Sequence, residues 1–267
     1  MKFNPEISEI LERAVKGEKI SEKDGIALMN SNALLNLGIA ADKIRKQKVG
    51  DIVSFVLNLH INYTNICVSK CGLCAYYKNK VDSKGYVMSI NEILESIKKA
   101  RQISNISEVH IVGSLNDEIQ VEYYENILIE TRKNFPNLAI KAFTATEIFF
   151  IAKQNKSTVK EILERFKDAG LNFMPGGGAE ILNDEIRNKI CPNKLKSDEW
   201  LNVMETAHKL GIRSNATMLY GHIESNEDRV GHILKLRDLQ EKQTGFWVLI
   251  PSKVFIRKAQ ICTRKDL

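Results

Sequence analysis

Strand-like and helix-like segments alternate along most of the chain, and this alternation restricts the fold more than any other feature. Helical patterns of roughly ten to fifteen residues separate the strands, so right-handed crossovers place the strands parallel in one sheet. The sequence therefore predicts an α/β fold, which is either a barrel or a doubly wound sheet. The six predicted strands lie at 52–61, 109–113, 138–143, 171–175, 214–220 and 246–250.

The segment before the first predicted strand reads as helical. Ser21 and Asp24 have the spacing of a helix capping box. With 267 residues, the chain has room for one or two domains. We expect a helical extension over 1–50, a barrel domain over 51–251 and an atypical tail over 252–267.

Composition and charge argue against several classes of protein. Hydrophobic residues make up 43% of the chain and charged residues 27%, as in an ordinary globular protein. No apolar run approaches the roughly 18 residues of a membrane-spanning helix, and the N-terminus lacks the apolar core of a signal peptide. The net charge of +6 is spread along the chain and forms no basic stripe. We therefore expect a cytoplasmic protein with no membrane or nucleic-acid partner and a mild preference for anionic ligands.

Three of the five cysteines fall within eight residues, directly after the first predicted strand. Cys67, Cys71 and Cys74 have the spacing C-x3-C-x2-C, and the odd total argues against a disulfide framework. Zinc sites normally have four protein ligands. Three thiolates instead suit a [4Fe-4S] cluster in which one iron keeps an open coordination position. A zinc knuckle completed by His60 is the alternative interpretation.

Consecutive glycines follow the fourth predicted strand. Residues 174–182 read Met-Pro-Gly-Gly-Gly-Ala-Glu-Ile-Leu. Glycine permits positive φ and a close approach of the backbone to a ligand. The carboxylate of Glu180 is then suited to bind a ribose hydroxyl or an ammonium group. A glycine-rich turn between strand and helix, without a ligand, is the other interpretation.

Together these motifs resemble the radical S-adenosylmethionine enzymes, and among them the branch of menaquinone and deazaflavin biosynthesis. The cysteine spacing is characteristic of that superfamily. The glycine turn, the stretch Lys141–Glu147 and the stretch 214–224 are most similar to the aminofutalosine synthases. The resemblance covers about residues 50–251. It implies a TIM-type radical S-adenosylmethionine barrel, here partial with about six strands and preceded by an N-terminal helical segment.

The resemblance also implies cofactors and a reaction. They are a [4Fe-4S] cluster and S-adenosylmethionine, which is consumed as a co-substrate. The implied reaction adds the 5′-deoxyadenosyl radical to 3-[(1-carboxyvinyl)oxy]benzoate, an aromatic dicarboxylate, with loss of bicarbonate to give aminodeoxyfutalosine. A flavodoxin- or ferredoxin-like protein is the implied electron donor. Two alternatives stay open: a cyclic dehypoxanthinyl futalosine synthase, in which the radical abstracts hydrogen, and a zinc-binding or inactive truncated remnant.

The same resemblance gives predicted roles to individual residues. The predicted cluster ligands are Cys67, Cys71 and Cys74. The residues predicted to lie beside S-adenosylmethionine are Leu73, Tyr76, Gly113, Glu180 and Arg187. Catalytic roles are predicted for His222 and Thr144, and substrate contacts for Thr217 and Tyr220. Other residues are interpreted without a part in the chemistry. Structural roles are predicted for His60, His110 and His208, core positions on a helix for Trp200 and Met204, and free thiols for Cys191 and Cys262.

Two departures from the family pattern stand out. Gly113-Ser114 stands where the family usually has two glycines, although the second residue is still small. The resemblance ends after Pro251, and residues 252–267 carry five cationic residues and one acid without a family pattern. We expect that a frameshift or a premature stop has replaced the native C-terminal part.

Overall fold

A computed structural model describes residues 5–254, and the strands of this part form one open parallel sheet. The six strands lie in the sheet in sequence order, as in a barrel, whereas a doubly wound sheet reverses its order at a switch point. The predicted α/β half-barrel is therefore confirmed. The strands are β1 (Asn58–Asn62), β2 (Glu108–Val112), β3 (Ala139–Ala142), β4 (Phe173–Met174), β5 (Arg213–Tyr220) and β6 (Phe246–Lys253).

Helices precede the sheet and connect its strands. The three that come before β1 are α1 (Pro5–Val15), α2 (Glu22–Met29) and α3 (Leu34–Val49). The connecting helices are α4 (Ile90–Ile103), α5 (Val121–Asn134), α6 (Ala145–Gln154), α7 (Val159–Asp168), α8 (Asp184–Ile190), α9 (Ser197–Lys209) and α10 (Asn226–Lys242). Within residues 5–254, no helix is both long enough and apolar enough to cross a membrane.

Local capping signals set several helix starts. The capping box of Ser21 and Asp24 begins α2 as predicted, and Ser89 with Glu92 begins α4 in the same way. In each box the serine hydroxyl accepts the third backbone N–H of the helix, and the acid accepts the N–H of the serine. These contacts satisfy backbone groups that have no partner inside the helix.

The hydrophobic core lies between the outer face of the sheet and the connecting helices. Val109 and Ile111 of β2 are completely buried there. Trp200 and Met204 of α9 are also completely buried in this core, as predicted. Because side chains alternate along a strand, the intervening residues of β2 face the inside of the half-barrel.

β1 begins later than predicted, and the predicted strand over 52–61 is wrong in its first half. Residues 52–57 form no strand, and Val53 and Phe55 are 87% and 82% exposed. The pairing with β2 sets the start of β1, because Asn58 is the first residue of the segment that pairs with a residue of β2. An apolar run alone therefore does not locate the start of a strand.

The predictions for the C-terminal end fall mostly outside the described residues. Of the expected atypical tail over 252–267, only residues 252–254 are described, and β6 continues through Lys253. Cys262, predicted to be a free thiol, lies outside the described part.

Candidate active site

The cysteine loop follows β1 and is fixed at the carboxyl end of the sheet by backbone hydrogen bonds. The Cys67 N–H donates to the Lys78 carbonyl over 3.1 Å, and the Val68 N–H donates to the Leu115 carbonyl over 2.9 Å in the loop after β2. The Cys74 N–H donates to the Cys71 carbonyl over 3.1 Å and closes a tight turn. The carboxyl end is where parallel barrels place their chemistry.

All three thiols of this loop line one cavity of about 140 Å³. Cys71 is buried, and Cys67 and Cys74 are half-buried. Gly113 after β2 and Thr144 after β3 line the same cavity, so the structure brings together five predicted site residues. Lining residues that the sequence analysis missed include Tyr77, Glu147 and Lys194.

Glu147 joins the loops after β1, β2 and β3. Its Oε1 accepts the Tyr63 hydroxyl over 2.6 Å and the Gly113 N–H over 2.9 Å. Its Oε2 accepts the N–H and the hydroxyl of Thr144, each over 2.8 Å. Burial raises the pKa of Glu147, and these donors oppose the rise. Each oxygen thus accepts two hydrogen bonds, which uses the acceptor sites of a carboxylate.

Thr144, predicted to be catalytic, forms the N-cap of α6. Its hydroxyl donates to Glu147 and accepts the Glu147 N–H over 3.2 Å. The pattern Thr-x-x-Glu directly after a strand is the sequence signal that identifies Glu147. Thr144 therefore holds the start of α6 beside the cavity, and its catalytic role stays a prediction.

Glu180 forms a partly buried ion pair that the sequence analysis did not predict. The Lys194 Nζ lies 2.6 Å from the Glu180 Oε1, and the two side chains are 18% and 12% exposed. Burial opposes ionisation of Glu180, but the ammonium of Lys194, followed by Arg187, holds the pKa of that carboxyl below its ordinary value. Burial raises the pKa of the Cys71 thiol, and Lys194 opposes that rise. Lys194 thus brings positive charge to the cysteine loop.

Arg187 does not line the cavity, and its predicted contact with S-adenosylmethionine stays a prediction. Its side chain is 2% exposed, and its guanidinium donates to the carbonyls of Gly178, Ala179 and Leu195 over 3.1, 2.5 and 2.7 Å. Buried polar groups find such partners because an unsatisfied donor is costly. Arg187 therefore stabilises the glycine turn by hydrogen bonds to carbonyl groups of the turn.

The glycine turn packs tightly against the protein itself. A Cβ on Gly176 would lie 2.6 Å from the backbone of Ala216 in β5, and a Cβ on Gly178 would lie 2.0 Å from the Thr146 hydroxyl. Gly178 also has a φ of +82°, and Glu180 has a φ of +44°. Glycine is therefore needed at Gly176 for packing and at Gly178 for both packing and backbone conformation.

Leu73 and Tyr76 lie in the cysteine loop but do not line the cavity that the three thiols share. Leu73 packs on the small apolar cluster that contains Cys71 and Met218. The Tyr76 hydroxyl bonds to the hydroxyl of Tyr86, and burial, with that contact, raises the pKa of Tyr76. Their predicted contacts with S-adenosylmethionine stay predictions.

The predicted site residues of β5 and the loop after it are held by other protein groups. The Thr217 hydroxyl donates to the Gly176 carbonyl over 2.6 Å, and the Arg229 guanidinium lies over the Tyr220 ring at 5.4 Å. The His222 side chain is completely buried, with Nε2 3.0 Å from the Leu219 carbonyl oxygen and Nδ1 3.2 Å from a Glu224 carboxylate oxygen. The cavity that the three thiols share is not lined by Thr217, Tyr220 or His222.

The donor set of the cavity fits a [4Fe-4S] cluster. Each thiolate of such a cluster binds a different iron, so the three sulfurs need not meet at one point. A zinc knuckle needs that convergence, and among residues 5–254 no three His, Cys, Asp or Glu side chains are placed to hold a single ion. Since the acceptor sites of Glu147 are already used, the cavity offers three protein ligands and no fourth.

Comparisons with known proteins identify the superfamily. The family model described as the Radical SAM superfamily matches residues 61–236. A 5-amino-6-(D-ribitylamino)uracil–L-tyrosine 4-hydroxyphenyl transferase from Methanococcoides burtonii is 41% identical over 91% of this chain and 66% of its own length. The aminodeoxyfutalosine synthase of Streptomyces coelicolor is 38% identical over 91% of this chain and 62% of its own length. The chain thus spans about two thirds of these relatives.

Solved structures agree with the fold. A methylornithine synthase superposes with a TM-score of 0.71 at 16% identity, covering 94% of this chain and 69% of its own. A maturase of the [FeFe]-hydrogenase superposes with a TM-score of 0.75 at 17% identity, covering 99% of this chain and 59% of its own. At these identities the likeness concerns the fold alone.

Proposed function

The chain belongs to the radical SAM superfamily, whose members use a [4Fe-4S] cluster and S-adenosylmethionine, and we propose that Cys67, Cys71 and Cys74 hold the cluster. One observation carries this assignment: in the described part of the chain, the three thiols line a single cavity at the carboxyl end of the sheet. When bound, the cluster supplies the electron that cleaves the carbon–sulfur bond of S-adenosylmethionine.

The protein groups around the cavity hold its shape and its charge. Lys194 offsets negative charge at the thiolates and is itself held by Glu180. Glu147 fixes the Gly113 N–H and the first turn of α6 at the cavity wall. The residues proposed to contact S-adenosylmethionine are Leu73, Tyr76, Gly113 and Glu180.

For the reaction itself we propose the aminodeoxyfutalosine synthase activity. It adds the 5′-deoxyadenosyl radical to 3-[(1-carboxyvinyl)oxy]benzoate with loss of bicarbonate, as part of menaquinone biosynthesis. Two observations support this activity. They are the match to the Streptomyces coelicolor enzyme and the amino-acid sequences of residues 141–147 and 214–224. The electrons come from a flavodoxin- or ferredoxin-like protein.

A second candidate activity follows from the hydroxyphenyl transferases. Relatives with this name are 37% to 41% identical over most of the chain, including the one from Methanococcoides burtonii. Such an activity transfers the 4-hydroxyphenyl group of L-tyrosine to 5-amino-6-(D-ribitylamino)uracil. Both candidates act on a molecule with an aromatic ring and a carboxylate, so both need a pocket that binds these two groups.

Four residues keep proposed roles in either reaction. Thr217 and Tyr220 are proposed substrate contacts at the end of β5. Thr144 and His222 are proposed catalytic residues, and their polar atoms are held by Glu147 and by Leu219 and Glu224.

Product analysis separates the candidates. The protein is purified without oxygen, reconstituted with iron and sulfide, and incubated with S-adenosylmethionine, a reductant and each substrate set. An adduct of the benzoate that retains adenine supports the synthase. A ribitylaminouracil product bearing the hydroxyphenyl group supports the second candidate, and free 5′-deoxyadenosine with a cyclised dehypoxanthine futalosine identifies the cyclase. Intact S-adenosylmethionine in every incubation contradicts all three activities.

A further inference from the structure

A row of side chains crosses the sheet in register, one from each of five neighbouring strands. The ladders pair His60 with His110, His110 with Lys141, Lys141 with Phe173, and Phe173 with Arg213. Paired residues of parallel strands point to the same side of a sheet. We call these five residues the inner belt.

The inner belt faces the inside of the half-barrel, beneath the cysteine cavity. The residues that flank it along β2, Val109 and Ile111, are buried against the outer helices, so the belt points the other way. Gly113, which lines the cavity, follows His110 by three residues. Three residues of a strand span about 10 Å. The belt therefore forms a floor about 10 Å below the cavity, which leaves room for one small molecule between them.

One side of this floor offers two imidazole rings and a paired ammonium group. The His60 and His110 rings meet edge to face with centroids 4.8 Å apart. Burial, followed by His60 and Lys141, lowers the pKa of His110 to about 4, so this ring is neutral near pH 7. The Lys141 ammonium lies 2.8 Å from the Glu108 carboxylate, and both side chains are about one-tenth exposed. The charge of Lys141 is thus largely offset within the protein.

The opposite side of the floor is aromatic and cationic. The Trp247 ring, on β6, lies 4.6 Å from the Phe173 ring, and the Arg213 guanidinium lies 5.6 Å from the centre of the Trp247 ring. Trp247 is 57% exposed and lies on β6, the edge strand of the described sheet. A tryptophan ring in contact with a guanidinium is suited to a ligand that has both an aromatic ring and a carboxylate.

We propose that the inner belt and Trp247 form the binding site for an aromatic carboxylate substrate. The carboxylate pairs with Arg213, the ring packs on Trp247, and a second polar group of the ligand reaches His110 and His60. This proposal rests on the proposed function for its substrate class, because L-tyrosine and 3-[(1-carboxyvinyl)oxy]benzoate are both aromatic carboxylates. It replaces the structural roles that the sequence analysis gave to His60 and His110.

Calorimetric titration of the full chain tests the site without turnover. The probes are L-tyrosine, 3-[(1-carboxyvinyl)oxy]benzoate and, as a non-aromatic control, cyclohexanecarboxylate. No reductant is added, and the titration is done before and after reconstitution with iron and sulfide. We expect saturable binding of at least one aromatic probe and weaker binding of the control. Absence of binding by both aromatic probes in both preparations overturns the proposal.

Substitutions locate the bound molecule. Arg213→Gln is expected to weaken the binding of the aromatic probe by at least about tenfold, since a charge-assisted pair is lost. Arg101 on the outer surface also lies over an aromatic ring, at 5.7 Å from the centre of Phe135, and Arg101→Gln is the matched control with unchanged affinity. Binding should also shift the fluorescence of Trp247, and Trp247→Phe, which leaves the buried Trp200, should abolish the shift.

The two proposals fail in distinguishable ways. If Arg213→Gln binds the probe as tightly as the unaltered chain, the inner belt is not the site, whatever the enzyme does with S-adenosylmethionine. If the probe binds through Arg213 but S-adenosylmethionine stays intact under reducing conditions, the binding site stands and the proposed function is wrong.

Discussion

The hydroxyl of Tyr63 donates a 2.6 Å hydrogen bond to the buried carboxylate of Glu147, and the two residues lie 84 positions apart in the sequence. Tyr63 directly follows β1, and Glu147 lies in the first turn of α6 after β3. The same carboxylate oxygen accepts the Gly113 N–H from the loop after β2. One carboxylate therefore sets the relative position of three loops around the cysteine cavity.

Glu147→Gln should destabilise the fold more than the same change at an ordinary helix cap. The amide NH₂ would face donors that now bind a carboxylate oxygen, and an unsatisfied buried group costs about 1–3 kcal/mol. Glu161 forms the same capping box with Thr158 at the start of α7 but is exposed, so Glu161→Gln is the matched control and should change stability little. Urea unfolding measures both, and equal effects would show that Glu147 is only a cap.

Removing either partner of the Glu180–Lys194 pair should be costly, because a charge is left buried without compensation. We expect Glu180→Gln and Lys194→Met each to lower the free energy of unfolding by about 3–5 kcal/mol. The double variant should lose clearly less than the sum, since neither charge then remains. Denaturant unfolding of the four proteins measures the coupling. Strictly additive losses would mean that the two groups do not interact.

Gly178→Ala should destabilise the turn after β4. A left-handed residue with a Cβ costs about 1–2 kcal/mol, and here the Cβ would also clash with the Thr146 hydroxyl. Gly231, in the middle of α10, has no atom within 4 Å of the position of a Cβ. Gly231→Ala should therefore stabilise the chain by about 0.5–1 kcal/mol. Thermal unfolding reports both, and a loss at both sites would refute the contrast.

Acid should destabilise the chain partly through His232. Burial lowers the pKa of His232 to about 4, and its Nδ1 accepts the Leu182 N–H over 3.0 Å. The ordinary pKa of histidine is near 6.5, so below this pH the unfolded chain binds a proton at His232 and the folded chain does not. The free energy of unfolding therefore falls by up to about 1.4 kcal/mol per pH unit between pH 6.5 and pH 4. His232→Gln should flatten this part of the curve of unfolding free energy against pH. An unchanged slope would contradict the assignment.

Sequence patterns predicted the elements of this fold well where the signal is local. Ser21 with Asp24 marked the start of α2, and the βα alternation predicted the parallel sheet. The start of β1 was missed because the partner strand sets it, and the apolar residues 52–57 carry no information about that partner. Strand pairing is a non-local property, so periodicity alone does not fix its limits.

The site was predicted less completely than the fold. The cysteine spacing located the cavity, but an arginine in a motif looks the same whether it meets a ligand or, like Arg187, the backbone carbonyls of a turn. The pairing of Lys194 with Glu180 spans 14 positions and two loops, which no periodicity describes. The role proposed for His110 depends on the strand register that places it beside His60 and Lys141, which the sequence alone does not specify.

The most direct test of the account is the iron content and the reductive cleavage of S-adenosylmethionine in matched cysteine variants. After anaerobic reconstitution, the unaltered chain should bind about four irons and release a 5′-deoxyadenosyl product under reduction. Cys71→Ser should lose both properties. Cys191→Ser should keep both, although Cys191 is buried in the same small apolar cluster as Cys71. An unaltered chain without iron, or equal loss in the two variants, would contradict the assignment of the cluster to Cys67, Cys71 and Cys74.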